Sequence, residues 1–166
     1  MHMTLLALRG TLVLMPVFDA KEAIRNIARH RVTIFPGVEI MYTKILAEKD
    51  LLEKTDVSSL KFFVSGAGSL SRRVGVQLRA ITGTKIVEGY GMSEASPVVS
   101  ITKPEDADLP APENGNRIGT PVPETVVTIR DDDGAEVPMG EVGRIFVSGP
   151  QVMRGYFGNE EETNKV

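Results

Sequence analysis

Strand-like and helix-like patterns alternate along the first half of this chain with short connections, and that alternation restricts the fold more than any other feature. Thr11-Leu12-Val13-Leu14-Met15 is an aliphatic, β-branched run closed by Pro16, which predicts a buried strand. Asp19-Ala20-Lys21-Glu22 then has the Asp-x-x-Glu spacing of a capping box, and Ala20, Ala23, Ile24, Ile27 and Ala28 follow at helical intervals. The unit repeats. Arg31 to Phe35 predicts a second strand stopped by Pro36-Gly37, and Val38, Met41, Tyr42, Ile45 and Leu46 place an apolar stripe on a second helix.

A polar segment, Glu48 to Ser59, leads to a third predicted strand, Lys61 to Ser65, which ends in the turn Gly66-Ala67-Gly68. Leu70, Val74, Leu78 and Ile81 mark a third helix, Gly83 ends it, and Lys85 to Val87 predicts a fourth strand. This order calls for an α/β fold, a mostly parallel sheet with flanking helices and right-handed crossovers.

The pattern changes after Ser100. Lys103 to Asn116 holds three of the ten prolines and four carboxylates, so it predicts an exposed linker. Thr125 to Arg130, the turn Asp131-Asp132-Asp133-Gly134, and Glu141 to Ser148 predict an antiparallel β unit. The expected organisation is an α/β subdomain over 1–100, an exposed linker over 101–117, and a small β-barrel-like subdomain over 118–166.

Composition narrows the function classes. A net charge of −3 with 19 dispersed Lys and Arg argues against a nucleic-acid partner or a membrane-surface role. The absence of cysteine removes disulfides, thiolate metal sites and a thiol nucleophile, and fits a cytoplasmic location. Leu12 to Phe18 is too short to span a bilayer, so no transmembrane segment is expected. His2 and His30 have no second ligand at metal spacing. The three aspartates read as a solvated turn, and Met41 and Tyr42 read as helix core more readily than as the lining of a ligand pocket.

Chemistry concentrates in Glu88-Gly89-Tyr90-Gly91-Met92-Ser93-Glu94, which follows the fourth predicted strand. Gly89 and Gly91 suit positive φ or close approach of backbone to a ligand, Tyr90 offers a flat face for a purine, and Ser93 can donate to a phosphate. Glu94 can hold a hard cation such as Mg²⁺, which takes one or two carboxylates and completes its shell with phosphate oxygens. The plainer reading makes Ser93 a helix cap and Glu94 a solvated first-turn carboxylate.

The segment resembles the Y-G-x-[ST]-E signature of adenylate-forming enzymes, a superfamily that includes acyl-CoA synthetases. Phe62 to Leu70 is similar to that family's S-G-G-A-P-L segment. Gly140 to Pro150 and Met153-Arg154-Gly155-Tyr156 are similar to its G-E-[IL]-x-[IV]-x-G-P and M-x-G-Y segments. The resemblance implies that adenine lies between the Gly66, Ala67, Gly68 backbone and Tyr90, within a nucleotide site spanning Glu88 to Ser93. It also implies that Ser93 and Glu94 serve catalysis, with Glu94 on the metal. The implied parent activity is fatty-acid–CoA ligation through acyl-AMP, with fatty acid, ATP and coenzyme A as small-molecule substrates; the fatty-acid assignment rests on the look of Leu12 to Leu46.

Some positions depart from the family pattern. Ala67 stands where a second glycine is common, Gly68 and Ser69 stand where Ala-Pro is common, and Glu39 replaces the proline of a Val-Pro-x-x-Tyr helix start. The family's Lys-containing phosphate loop, its ribose-binding Thr-Gly-Asp and its adenylation lysine are not found here. The expectation is therefore an internal piece of a larger synthetase, inactive by itself and prone to self-association through apolar surface at its cut edges. Two alternatives stand beside it: a non-catalytic nucleotide-binding or interaction module, and another adenylate-forming enzyme.

Overall fold

The computed structural model describes residues 7–107, 109 and 117–166. The described residues form a mixed five-stranded sheet in the order β1-β2-β3-β4-β5, with helices flanking its first strands, and a separate antiparallel pair, β6-β7. By its contacts the chain divides into two compact units, Met1–Ile86 and Val87–Val166.

In the first unit, α1 (Ala20–His30) starts where Asp19 accepts a hydrogen bond from the Glu22 amide at 2.8 Å. That contact is the expected cap. The helix ends at Arg31 in the left-handed region, whose amide closes on Ala28 and Ile27 carbonyls. Strands β1 (Ile34–Gly37) and β2 (Phe62–Ser65) pair in parallel with Ile34 opposite Phe62, as the alternation requires. Between them run α2 (Glu39–Ala47) and the short α3 (Lys49–Lys54), and α4 (Arg72–Thr82) follows β2.

The core of this unit is built from Ile24, Ile27, Tyr42, Ile45, Leu52, Phe63, Val74 and Leu78. Tyr42 is fully buried, and its ring meets Phe63 edge-on at 5.6 Å and Phe35 at 6.3 Å. Its hydroxyl donates to the Val64 carbonyl at 2.8 Å, and burial pushes the phenol well above the ordinary tyrosine range. Tyr42 is thus core, as its helical spacing indicates.

In the second unit, β3 (Lys85–Gly91), which begins in the first, pairs antiparallel with β4 (Val98–Ile101), and β4 pairs antiparallel with β5 (Thr120–Pro121). Ser100 is buried and its hydroxyl donates to the Ile118 carbonyl at 2.7 Å. Strands β6 (Val126–Arg130) and β7 (Arg144–Ser148) form the expected antiparallel pair. The carboxylate of Asp131 accepts from the Asp133 and Ala135 amides at 3.0 and 2.9 Å, so it closes the turn after β6. A final short helix, α5 (Glu160–Thr163), is capped by Asn159.

Several expectations are corrected. Thr11 to Met15 is irregular, not a strand; Leu14 is largely exposed, and no strand pairs with the run among the described residues. The segment Glu48 to Ser59 is not merely polar, because α3 buries Leu52 beneath its charged face. Strand β3 also continues past Val87, since β4 supplies partners for Gly89 to Gly91. His2 and much of the expected linker, at 108 and 110–116, lie outside the described residues.

Candidate functional site

Two stretches carry the expected site residues, one in each compact unit. The first is the turn after β2. Gly66 continues from the strand and its amide donates to the Gly37 carbonyl at 3.4 Å. Ala67 then takes φ 60°, a left-handed conformation that glycine adopts more readily, so the family's usual glycine has a backbone reason at this position. Beyond the turn Leu70 is buried, and the Ser71 amide donates to the Glu39 carboxylate at 2.8 Å. The turn is fixed at both flanks while Ala67, Gly68 and Ser69 remain exposed. Glu39 therefore tethers the entry to α4.

Within β2, Ser65 is 1% exposed and its hydroxyl has no hydrogen-bond partner among the described residues. No sequence pattern marks that feature, since serine at a strand end is unremarkable from spacing alone.

The second stretch begins inside β3. Glu88, Gly89, Tyr90 and Gly91 are strand residues rather than loop residues, with Gly89 opposite Ile101 and Tyr90 opposite Ser100. A bulge falls between Tyr90 and Gly91, so Gly91 pairs with Val98. Gly91 does not adopt positive φ. Its requirement is space, because a Cβ there would lie 1.8 Å from the Pro97 carbonyl oxygen. Tyr90 is half-buried at this irregular end of the strand.

Met92 leaves the strand in extended geometry, and Ser93–Ala95 form one 3-10 turn. Met92 occupies the cap position, and no side chain caps the turn. Ser93 is consequently not the helix cap that the plainer reading supposed; its side chain is exposed. Ala95 is buried and anchors the turn from below, which leaves Ser93 and Glu94 on its outer side.

Glu94 is held by a segment far along the chain. The Tyr156 hydroxyl donates to Glu94 Oε1 at 2.6 Å, and the Met153 amide donates to the Glu94 carbonyl at 2.7 Å. The hydrogen bond from Tyr156 holds the Glu94 carboxyl below the usual carboxylate range, with help from the residue's own amide. The same contact raises the Tyr156 phenol, reinforced by partial burial and by the charges of Glu94 and Glu162. Glu94 therefore stays ionised and oriented, against the expectation of a freely solvated side chain.

Whether these residues fit a divalent cation follows from the donor set. No group of three or more His, Cys, Asp or Glu side chains converges among the described residues. A cation at Glu94 would take this one carboxylate and complete its shell with ligand phosphate oxygens and water, the usual arrangement for Mg²⁺. The residues fit.

The sequence expectation names Ser93, Glu94 and Tyr90 and gives Tyr156 no role beside Glu94. The signal was present in Met153-Arg154-Gly155-Tyr156, whose spacing had been matched only as a family segment.

Comparison with known proteins agrees with the motifs. A family model described as AMP-binding enzyme matches residues 1–157. A long-chain-fatty-acid–CoA ligase of Bacillus subtilis (strain 168) is 38% identical over 156 residues, which are 93% of this chain and 27% of that protein. The chain thus spans roughly a quarter of that relative's length. Among solved structures, an anthranilate CoA ligase in complex with anthranoyl-AMP superposes with a TM-score of 0.82 at 27% identity, covering 95% of this chain and 30% of that one. An O-succinylbenzoate coenzyme A synthetase from Bacillus subtilis in complex with AMP gives 0.79 at 26% identity, covering 98% and 32%. With the family match spanning nearly the whole chain, the chain belongs to the AMP-binding enzyme family.

Proposed function

We propose that the whole protein is an ATP-dependent fatty-acid–CoA ligase, and that this chain supplies part of its adenylation site. The observation that carries the reading is the turn after β3, where Ser93 is exposed and Glu94 is braced by Tyr156. The likeness to a long-chain-fatty-acid–CoA ligase at 38% identity supports a fatty acid as the carboxylate substrate.

In this reading the fatty-acid carboxylate attacks the α-phosphorus of ATP and pyrophosphate leaves. The resulting acyl-AMP passes its acyl group to the thiol of coenzyme A, and AMP departs. Tyr90 presents its ring to the adenine, and the Gly66, Ala67, Gly68 backbone contributes to nucleotide binding. Glu88, Gly89, Gly91 and Met92 shape the strand end beside Tyr90. Ser93 donates its hydroxyl to a phosphate oxygen as negative charge grows there. Glu94 would hold Mg²⁺, which when bound would neutralise phosphate charge.

We place the activity in the cytoplasm and give it to the whole protein, the 166-residue chain by itself being inactive. No helix among the described residues is long and apolar enough to cross a membrane. Exposed Met139, Val142 and Phe157 support association of the isolated chain with itself. The test is pyrophosphate release by the whole protein with MgATP and a panel of carboxylic acids, followed by thioester formation on adding coenzyme A. Release that depends on a fatty acid is expected. Release only with aromatic acids would overturn the substrate assignment, and no release with any acid would overturn the ligase reading.

A further inference from the structure

We infer that Tyr156 is a positioning residue for adenylation, acting through Glu94 from a segment 62 residues further along the chain. The inference deepens the reading just given and rests on it.

The contact is short and charge-assisted. At 2.6 Å the Tyr156 hydroxyl to Glu94 Oε1 distance lies in the range of an O–H donor on an ionised oxygen. Glu94 has three rotatable side-chain bonds on an exposed turn, so without a partner its carboxylate would sample several rotamers. A ligand carboxylate gains affinity when an outer group fixes its orientation. Tyr156 also leaves part of the carboxylate's acceptor capacity uncommitted, because it engages only Oε1.

Tyr156 is itself built into place. Its amide donates to Thr163 Oγ1 at 2.9 Å, and the Thr163 hydroxyl donates to the Asn159 carbonyl at 2.8 Å. Asn159 caps α5 through the Glu162 amide at 3.1 Å. Gly155 takes φ 152°, and a Cβ there would lie 2.6 Å from a Thr163 methyl carbon, so only glycine lets the chain turn this closely onto α5. Two residues before Gly155, the Met153 amide donates to the Glu94 carbonyl at 2.7 Å. The Met-x-Gly-Tyr segment therefore seizes Glu94 at both backbone and carboxylate. A surface tyrosine without such a role would need neither the second contact nor the buttress.

The experiment uses the whole protein with Tyr156→Phe, Glu94→Gln and the double variant. Three quantities are read: acid-dependent pyrophosphate release, the KM for ATP, and Mn²⁺ binding by electron paramagnetic resonance with a non-hydrolysable ATP analogue. Tyr156→Phe should lower the release rate and weaken Mn²⁺ binding by about tenfold each, the low end for a group that orients a metal ligand. The KM for ATP should change by less than about twofold, because the inference routes the hydroxyl's effect through Glu94 and not through the nucleotide. In the Glu94→Gln background Tyr156→Phe should add almost nothing, since its effect runs through the missing charge.

Wild-type rate and Mn²⁺ affinity in Tyr156→Phe would overturn the inference, as would a loss that adds fully to that of Glu94→Gln. Wild-type rate in Glu94→Gln would instead overturn the underlying role of Glu94, which separates the two failures. Should Tyr156→Phe fold poorly, Thr163→Val removes the buttress while leaving the phenol in the chain. A smaller loss in both release and Mn²⁺ binding is expected there, and no change in either would count against the brace.

Discussion

The Tyr156 hydroxyl lies 2.6 Å from Glu94 Oε1, joining two segments that are 62 residues apart in sequence. The Met153 amide reaches the Glu94 carbonyl in the same place. Two stretches that look like independent family signatures thus form one structural device: a turn that presents a carboxylate, and a later segment that fixes it. The spacing between the signatures is set by the strands β4 to β7 that lie between them in the chain.

Tyr42 should matter to stability through its hydroxyl as well as its ring. Tyr42→Phe keeps the edge-on contact with Phe63 but leaves the Val64 carbonyl without that donor, a loss of about 1–3 kcal/mol. Chemical denaturation should show a lower midpoint with an unchanged slope. An unchanged midpoint would mean that water satisfies the carbonyl.

Ser65 gives the opposite expectation. Its buried hydroxyl has no partner among the described residues, so Ser65→Ala removes a desolvated polar atom at almost no packing loss. Stability should stay level or rise by up to about 1 kcal/mol. A loss of more than about 1 kcal/mol would reveal a hydrogen bond made by that hydroxyl.

Much of the first unit was legible because its signals are local. Asp19 and Glu22 carry the cap of α1, and the helical spacing of Tyr42, Ile45, Val74 and Leu78 picks out residues that are buried. What could not be read depends on partners distant in sequence. The aliphatic run Thr11 to Met15 has strand composition but no pairing strand among the described residues, so composition misled. Glu88 to Gly91 looked like a loop because its glycines suggested one, whereas β4 holds it in the ladder. The plainer reading makes Ser93 a cap, yet Met92 takes that place in the 3-10 turn and no side chain caps it. Tyr156 was unreadable as a partner of Glu94 because no spacing rule reaches across 62 residues.

Asp56 provides a pH test away from the site. The Ser58 hydroxyl, the Ser58 amide at 3.0 Å and the charge of Arg31 hold its carboxyl below the ordinary range. A carboxyl depressed in the folded state stabilises the fold above its unfolded pKa, and that stabilisation disappears as pH falls through the folded value. Asp56→Asn should therefore lower the thermal midpoint slightly at neutral pH, leave it nearly unchanged at the acid end, and so flatten the acid limb between them. An acid limb as steep as wild type would contradict this assignment.

Gly91 should tolerate no side chain. A Cβ would sit 1.8 Å from the Pro97 carbonyl oxygen and 3.0 Å from Val98 Cα, both backbone atoms that cannot swing aside. Gly91→Ala should force β3 and β4 apart at the bulge, costing upward of about 3 kcal/mol, in the range of severe steric or strained-backbone changes. Hydrogen exchange at Met92, whose amide donates to Pro97 at 2.8 Å, should accelerate. Wild-type protection at Met92 would refute the steric argument.

The central claim is that Glu94 and Ser93 act on the phosphates of ATP, and pyrophosphate release by the whole protein at saturating fatty acid and MgATP tests it most directly. Glu94→Gln keeps the shape of the side chain but removes the charge a cation needs, so release should fall more than ATP binding does. Ser93→Ala deletes one neutral donor and should cost less, no more than about 4 kcal/mol even in a well-formed site. A Glu94→Gln protein that releases pyrophosphate at the wild-type rate would contradict the account.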